Sequence, residues 1–407
     1  MPVTFHHRTL PNGLAVLAEV DPAAHSAAAG FFVKTGARDE TPALMGVSHF
    51  LEHMMFKGTD DLSADQINQA FDAMGASNNA YTSGEMTCFY AKVLPEHLDT
   101  GVRLLGQMMR PALRQEDFDS EKKVILEEIA MYKDDPFWVL YERVSEAFFA
   151  EHPLGHRVLG TNETITDLTR DQMRAYFDQR YSADNTCVAL AGRVDFDAAC
   201  GAIEAVCGAW RPTRVGRDNA RPRVAAEAFV ERDEKVSRGY ALGLSEAPGI
   251  QDDRRYAAAL AAQVLGGSDN SRLHWALLET GLAEEAQASY DPHDGVGQYF
   301  VFASCDPERV DEVWGVVEKE IAGLGDSLTE DDLAKIRSKM ATGVTVASER
   351  PGDRMQRLGR QWTYLRSHRT LEEELARINA VTLADVREVL EAFPMGAMMV
   401  GRLLPAE

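Results

Sequence analysis

Between residues 46 and 59 the apolar positions Val47, Phe50, Leu51, Met54 and Met55 recur at the three- and four-residue spacing of a helix and cover much of its circumference. A helix wrapped this way belongs in a core, yet the same run also carries His49, Glu52 and His53. A second run, Glu121 through Ile129, reads as a helix with Val124, Ile125 and Ile129 on its buried side. Alternating stretches at Ala15 to Val20 and at Tyr240 to Leu244 predict strands, each early in its half of the chain and each followed by a helical stretch. Between the halves, residues 210–222 are polar, basic and punctuated by Pro212 and Pro222, which marks a connector. The pattern predicts a diverged internal duplication: an N-terminal domain over 1–212, a linker over 213–224 and a homologous C-terminal domain over 225–407. The expected class is α+β, each domain an antiparallel sheet with helices packed on one side. A chain of 407 residues exceeds the usual size of one core, which agrees with two.

His49 and His53, four apart on a helix, share a face and can aim two neutral ring nitrogens at one metal ion. Glu52 stands close enough to that face to reach a metal-bound water without being a ligand. Polar side chains buried unpaired among apolar neighbours cost roughly 2–7 kcal/mol each, a penalty that a metal removes. A catalytic site needs a third protein ligand and an open position. Glu121 and Glu128 lie seven residues apart, two helical turns, and face the same way. Glu128 is therefore the candidate third ligand. Glu121 becomes a supporting carboxylate that orients a histidine or the water, and stands with Glu52 as the candidate catalytic pair. Glu127 points elsewhere and is expected to pair with Lys123. The position matching the first helix in the second half falls near residues 257–265 and has no His or Glu, so metal is expected in the first half alone.

Composition narrows the setting. The formal net charge of −22 opposes nucleic acid as a partner and favours cationic ligands. No apolar run of 18 residues occurs, and no basic region followed by an apolar stretch opens the chain, so neither a membrane partner nor a secretory signal is expected. Cys88, Cys187, Cys200, Cys207 and Cys305 form neither a metal pair nor a disulfide framework and read as reduced core thiols, as expected in cytoplasm. His6 and His7 read as a surface pair or a tag remnant.

The order His49-x-x-Glu52-His53, followed 75 residues after His53 by Glu128 and with Glu121 seven before that ligand, resembles the signature of the pitrilysin-type (M16) zinc metallopeptidases. Leu10 to Leu14, Asn79 to Ser83, His152 to Gly155, Leu159-Gly160 and the run from Tyr181 to Gly192 extend the resemblance over nearly the whole chain. It implies a Zn2+ endopeptidase in which His49, His53 and Glu128 bind zinc and Glu52 moves the proton. Asn79, Ala80, Tyr81 and Thr82 become the edge strand that pairs with an extended peptide. The resemblance also implies a chamber built from two such chains, a homodimer or a heterodimer with a related subunit. Family members that keep the fold as non-catalytic peptide-binding or assembly subunits supply the alternative. One departure favours that alternative: the arginine and tyrosine that many relatives carry in the second half are replaced here by Leu277 and Glu284. Arg272, in a glycine-rich segment, is expected to anchor a loop.

Overall fold

The computed structural model describes residues 3–267 and 269–406. Among the described residues, eleven strands form two sheets. The first contains β1 (Thr4–Thr9), β2 (Ala15–Val20), β3 (Ala27–Val33), β4 (Ser77–Thr82), β5 (Thr87–Val93) and β6 (Thr186–Gly192) in the order β1-β2-β6-β3-β5-β4. The second contains β7 (Ala228–Asp233), β8 (Gly239–Ala247), β9 (Glu285–Pro292), β10 (Gly297–Cys305) and β11 (Met399–Pro405) in the order β7-β11-β8-β10-β9. The helices that matter for packing are α1 (Val47–Met55), α2 (Leu98–Met108), α3 (Gln115–Tyr132), α4 (Pro136–Phe149), α5 (Phe196–Cys207), α6 (Arg255–Gly266), α7 (Val310–Ala322), α8 (Pro351–Leu365) and α9 (Leu383–Ala392).

With β1 set aside, the two sheets have the same wiring. In each, the first strand pairs parallel with the last (β2 with β6, β7 with β11), and every further pairing is antiparallel. The duplication expected from sequence is thus present in the topology, and the class is α+β with two domains. The sheets are mixed rather than wholly antiparallel, because the last strand of each returns beside the first through a helical crossover.

Helices cover both faces of each sheet, where one was expected. In the first sheet, Val16, Ala29, Phe31, Val33, Phe89 and Leu190 face the core that α1, α2, α3 and α5 complete. Leu17, Ala28, Phe32, Cys88 and Ala189 point the other way, onto Met355 and Leu358 of α8. Strands buried on both sides show nearly continuous apolar runs, which is why Ala27–Val33 carries no polar residue. In the second sheet, Tyr299, Val301 and Ala303 pack under α6, α7 and α9, while Leu242, Leu244, Phe300, Phe302 and Leu403 pack against Leu140, Val144, Phe148 and Phe149 of α4.

Packing therefore divides the chain differently from a cut at 213–224. One unit comprises residues 3–129, His156–Asp218 and Thr345–His368; the other comprises Ala130–Gly155, Asn219–Val344 and 369–406. Each half lends one helix to the other's sheet. The lent helices sit close enough to need glycine: a Cβ on Gly359 of α8 would strike the Phe32 ring, and one on Gly401 of β11 would strike Val144 of α4.

Candidate metal centre

The helix α1 starts abruptly. Gly46, at its N-cap, has φ 93°, and a Cβ there would lie 2.6 Å from the Leu159 carbonyl oxygen and 2.9 Å from Gly160 Cα. Glycine is required on both counts. With no side chain at the cap, the exposed helix-end donors are taken by Glu40, whose Oε2 accepts from Gly46 N–H and Oε1 from Ser48 N–H, both at 2.7 Å. Burial pushes the Glu40 carboxyl up to about 8, against the pull of its bonds from Ser48 and Gly46, which favour the anion. The Ser48 hydroxyl meets Tyr176 Oη at 2.8 Å, which in turn meets Thr35 Oγ1 at 2.8 Å. Val47, Phe50, Leu51, Met54 and Met55 are buried as their spacing predicts, worth about 1.5–3 kcal/mol for each large side chain.

Phe118 of α3 stacks on Phe50 of α1 with centroids 4.8 Å apart, and Phe118, Ile125 and Ile129 line the buried side of α3. That register brings Glu121 and Glu128 opposite the histidines. His49 and His53 lie with ring centroids 4.7 Å apart, and Glu128 Oε2 is 3.7 Å from the Nε2 of each. One ligand atom from each of His49, His53 and Glu128 falls within 4.8 Å of the other two. Val124 corrects the helix as read from sequence: it is 44% exposed, not buried. At 100° per residue it falls on the far side of Glu128 from Ile125. Glu127 is exposed, and among the described residues no ion pair joins it to Lys123.

Glu121 is buried and meets His53 Nδ1 at 2.9 Å through one oxygen, while the other pairs with Lys57. It thereby orients the ring so that Nε2 faces Glu128. Burial opposes its ionisation, but His53 and Lys57 outweigh that and hold its carboxyl below the usual range. For His53, burial pulls down, and the bond to Glu121 with the charges of Glu128 and Glu52 raises it overall. His49 has no such support: burial, then His53, lowers it to about 3. Its imidazole is therefore neutral at physiological pH, the form that offers a lone pair to a cation, and its Nδ1 is buried with no hydrogen-bond partner among the described residues. Two neutral-capable imidazoles and one carboxylate, with no fourth protein ligand gathered among the described residues, fit a catalytic zinc set. Both histidines turn Nε2 toward Glu128, the nitrogen that each would offer to the ion.

Glu52 is half-buried, and burial raises its carboxyl against the opposing bond from Thr82, whose Oγ1 donates to Oε2 at 2.6 Å. Thr82 ends β4, which is an edge strand as expected. Asn79 Oδ1 accepts from Ala80 N–H at 2.8 Å, so that donor is turned away from β5, toward the open edge. Tyr81 points to the opposite face and donates to Gln356 at 2.9 Å. Of the four strand residues, Thr82 is the one bonded to the candidate centre. In the second half, Leu277 is fully buried in its own core and Glu284 pairs with Arg238. Arg272 donates to Ser327 Oγ at 2.6 Å, an anchoring contact, in a segment whose Ser268 lies outside the described residues.

Residues 15–162 match the model of insulinase (peptidase family M16), and residues 167–340 match the peptidase M16 inactive domain. An uncharacterized zinc protease of Mycobacterium tuberculosis is 35% identical over 94% of this chain and 89% of its own. The chain belongs to peptidase family M16. A second M16 relative, an uncharacterized zinc protease of Bacillus subtilis, is 31% identical over 93% of each chain. The fold of a Helicobacter pylori protease matches over the whole of both chains with TM-score 0.91 at 19% identity. That of an M16-like peptidase from Alicyclobacillus acidocaldarius matches with TM-score 0.85 at 22%.

Reading the sequence alone missed Glu40 and Lys57. Lys57 lies just beyond the end of α1, where helical spacing no longer assigns it a face. Glu40 carries no periodic signal. Among the described residues, no helix is long and apolar enough to cross a membrane.

Proposed function

We propose that this M16 chain is a zinc-dependent endopeptidase that hydrolyses peptides or unfolded segments inside a chamber closed by a second copy of itself. The observation that carries the reading is the convergence of His49, His53 and Glu128 donors within 4.8 Å beside a half-buried Glu52 whose carboxyl burial raises. Zinc held by those three supplies Lewis acidity toward a peptide carbonyl and makes water a competent nucleophile near neutral pH. Glu52 takes the proton from the attacking water and returns it to the departing amine; Thr82 pins one of its oxygens and leaves the other for the transfer. Glu121 keeps His53 in the ligating orientation. The open edge of β4, with Asn79, Ala80, Tyr81 and Thr82, pairs with the backbone of an extended peptide and so accepts many sequences. The five buried cysteines, all free thiols, suit a reducing compartment such as cytoplasm.

Leu277 and Glu284 support a second reading, a non-catalytic peptide-binding or assembly subunit, because neither side chain can do what an Arg/Tyr pair would. One experiment decides between them. The purified chain is assayed on quenched peptide libraries as isolated, after chelation and after zinc is restored, with its mass in solution measured alongside. Hydrolysis by a dimer of this single species, lost on chelation and regained with zinc, is expected. A zinc-loaded but inert preparation gives the second reading.

A further inference from the structure

The segment 213–218, expected to be a linker, is tied down along its length. Thr213 and Arg214 N–H donate to the Asp184 carboxylate at 3.1 and 2.8 Å, Arg180 Nη1 donates to the Gly216 carbonyl at 3.0 Å, and Arg38 Nη2 to that of Asp218 at 3.1 Å. At its centre Arg217, with its side chain 3% exposed, forks onto Asp39 with Nε–Oδ1 3.0 Å and Nη2–Oδ2 2.7 Å. It also reaches the backbone carbonyl of Glu85, and its carboxylate at 3.5 Å. Arg38 pairs with Glu85 at 2.6 Å and Arg180 with Asp39 at 3.2 Å. Three guanidinium groups and two carboxylates are thus gathered with almost no exposure.

Charge buried on this scale is a poor way to hold a connector, since desolvation consumes most of what the pairs return and apolar packing does as well. What such a lattice provides is geometry: planar forks fix direction as well as distance. The direction it fixes is that of the turn Ala37–Asp39, and the next residue is Glu40. Glu40 holds the N–H groups of Gly46 and Ser48, and His49 follows in the first turn of α1.

We propose that Arg217 and Glu40 are positioning residues of the metal centre: the strap sets the turn, the turn aims Glu40, and Glu40 seats the turn of α1 that presents His49. This rests on the reading of His49, His53 and Glu128 as metal ligands. It assigns the strap at 213–218 control over metal affinity, a role beyond joining two domains.

The test is zinc affinity, measured on the full chain by competition with a chromophoric chelator, with folding checked by circular dichroism. Glu40→Gln places an N–H2 against backbone donors and should weaken zinc roughly tenfold; Arg217→Lys, which keeps the charge and loses the fork, should do so by a similar factor. Because both act along one path, the double variant should bind little worse than the weaker single. Glu40→Asp, which keeps the carboxyl but shortens its reach, should fall between wild type and Glu40→Gln and serves if the latter does not fold. Arg357→Lys is the control: it disturbs a partly buried ion pair, Arg357 with its side chain 24% exposed and one nitrogen on both oxygens of Glu19, that among the described residues makes no bond to residues 36–49. It should lower melting temperature yet leave zinc binding within about twofold. Wild-type affinity in folded Glu40 variants, an equal loss in Arg357→Lys, or full additivity in the double variant overturns the proposal. A wild type that binds zinc without cleaving peptide overturns the endopeptidase reading and leaves this one standing; a wild type that binds no zinc overturns both.

Discussion

The helices α1 and α6 occupy the same place in two sheets of the same wiring, each following the strand at the sheet's centre, and they solve opposite problems. In α6 the buried positions are Ala257, Ala258, Leu260, Ala261, Ala262, Val264, Leu265 and Gly266, none of them with a polar side chain. In α1 the same setting encloses His49, a half-buried Glu52 and His53, and the surroundings are altered to accommodate them: a glycine cap, the Glu40 carboxylate on the helix end, Glu121 on His53 and Thr82 on Glu52. The fold does not need those polar groups, since its duplicate stands without them. Their burial is a cost the fold itself does not require, and one of them, His49 Nδ1, has no hydrogen-bond partner among the described residues.

The largest effect expected from testing this contrast is on turnover. Glu52→Gln removes the proton acceptor and no ligand, so peptide hydrolysis should fall by about 10²–10⁴-fold while metal analysis still finds one zinc per chain. Hydrolysis within a few-fold of wild type would reassign the base. Next comes metal retention: Glu128→Gln should lose most bound zinc, while Glu127→Gln, on the exposed side of α3, should keep zinc and activity. The opposite ranking would break the α3 register that the Phe50–Phe118 stack imposes.

A third test makes α1 resemble α6. His49→Leu should abolish metal binding and yet stabilise the apoprotein by about 1–3 kcal/mol, because it removes a buried, unpaired imidazole. Calorimetry of wild type and variant, both stripped of metal, measures it; a less stable variant would mean that His49 is satisfied in the apo state. The smallest effect is on acid stability. Burial opposes ionisation of Glu19, but His368 and Arg357 overcome it and hold the carboxyl below its ordinary value near 4.5. A depressed carboxyl stabilises the fold above its unfolded value and loses that contribution as pH falls through the folded one. Melting temperature should therefore drop below about pH 4.5 more steeply in wild type than in Glu19→Gln. Parallel profiles would remove Glu19 from the account.

The grouping of His49, His53, Glu121 and Glu128 was legible because metal chemistry restricts residue type and the helix restricts spacing: the histidines are four residues apart in one helix and the carboxylates seven apart in the other. The edge strand and the duplication were legible for similar reasons of local period. Partners chosen by distance in space left no such trace. Arg217 meets Asp39 across 178 residues, and no periodicity links them. Helices α4 and α8 are amphipathic in the ordinary way, and an apolar stripe says that a face is covered without saying by which sheet. Val124 failed for a related reason, since an apolar side chain beside an open metal centre has the same appearance in sequence as one in a core.

The loan of α8 to the first sheet also governs the order in which this protein can mature. Its residues are synthesised about 150 positions after the first unit's own segments end at Asp218. At ribosomal speed that is an interval of roughly ten seconds or more, during which Leu17, Phe32 and Ala189 have no cover. The nascent first half is therefore an unfinished domain, and a chain cut between its halves would separate each sheet from a helix that covers one of its faces.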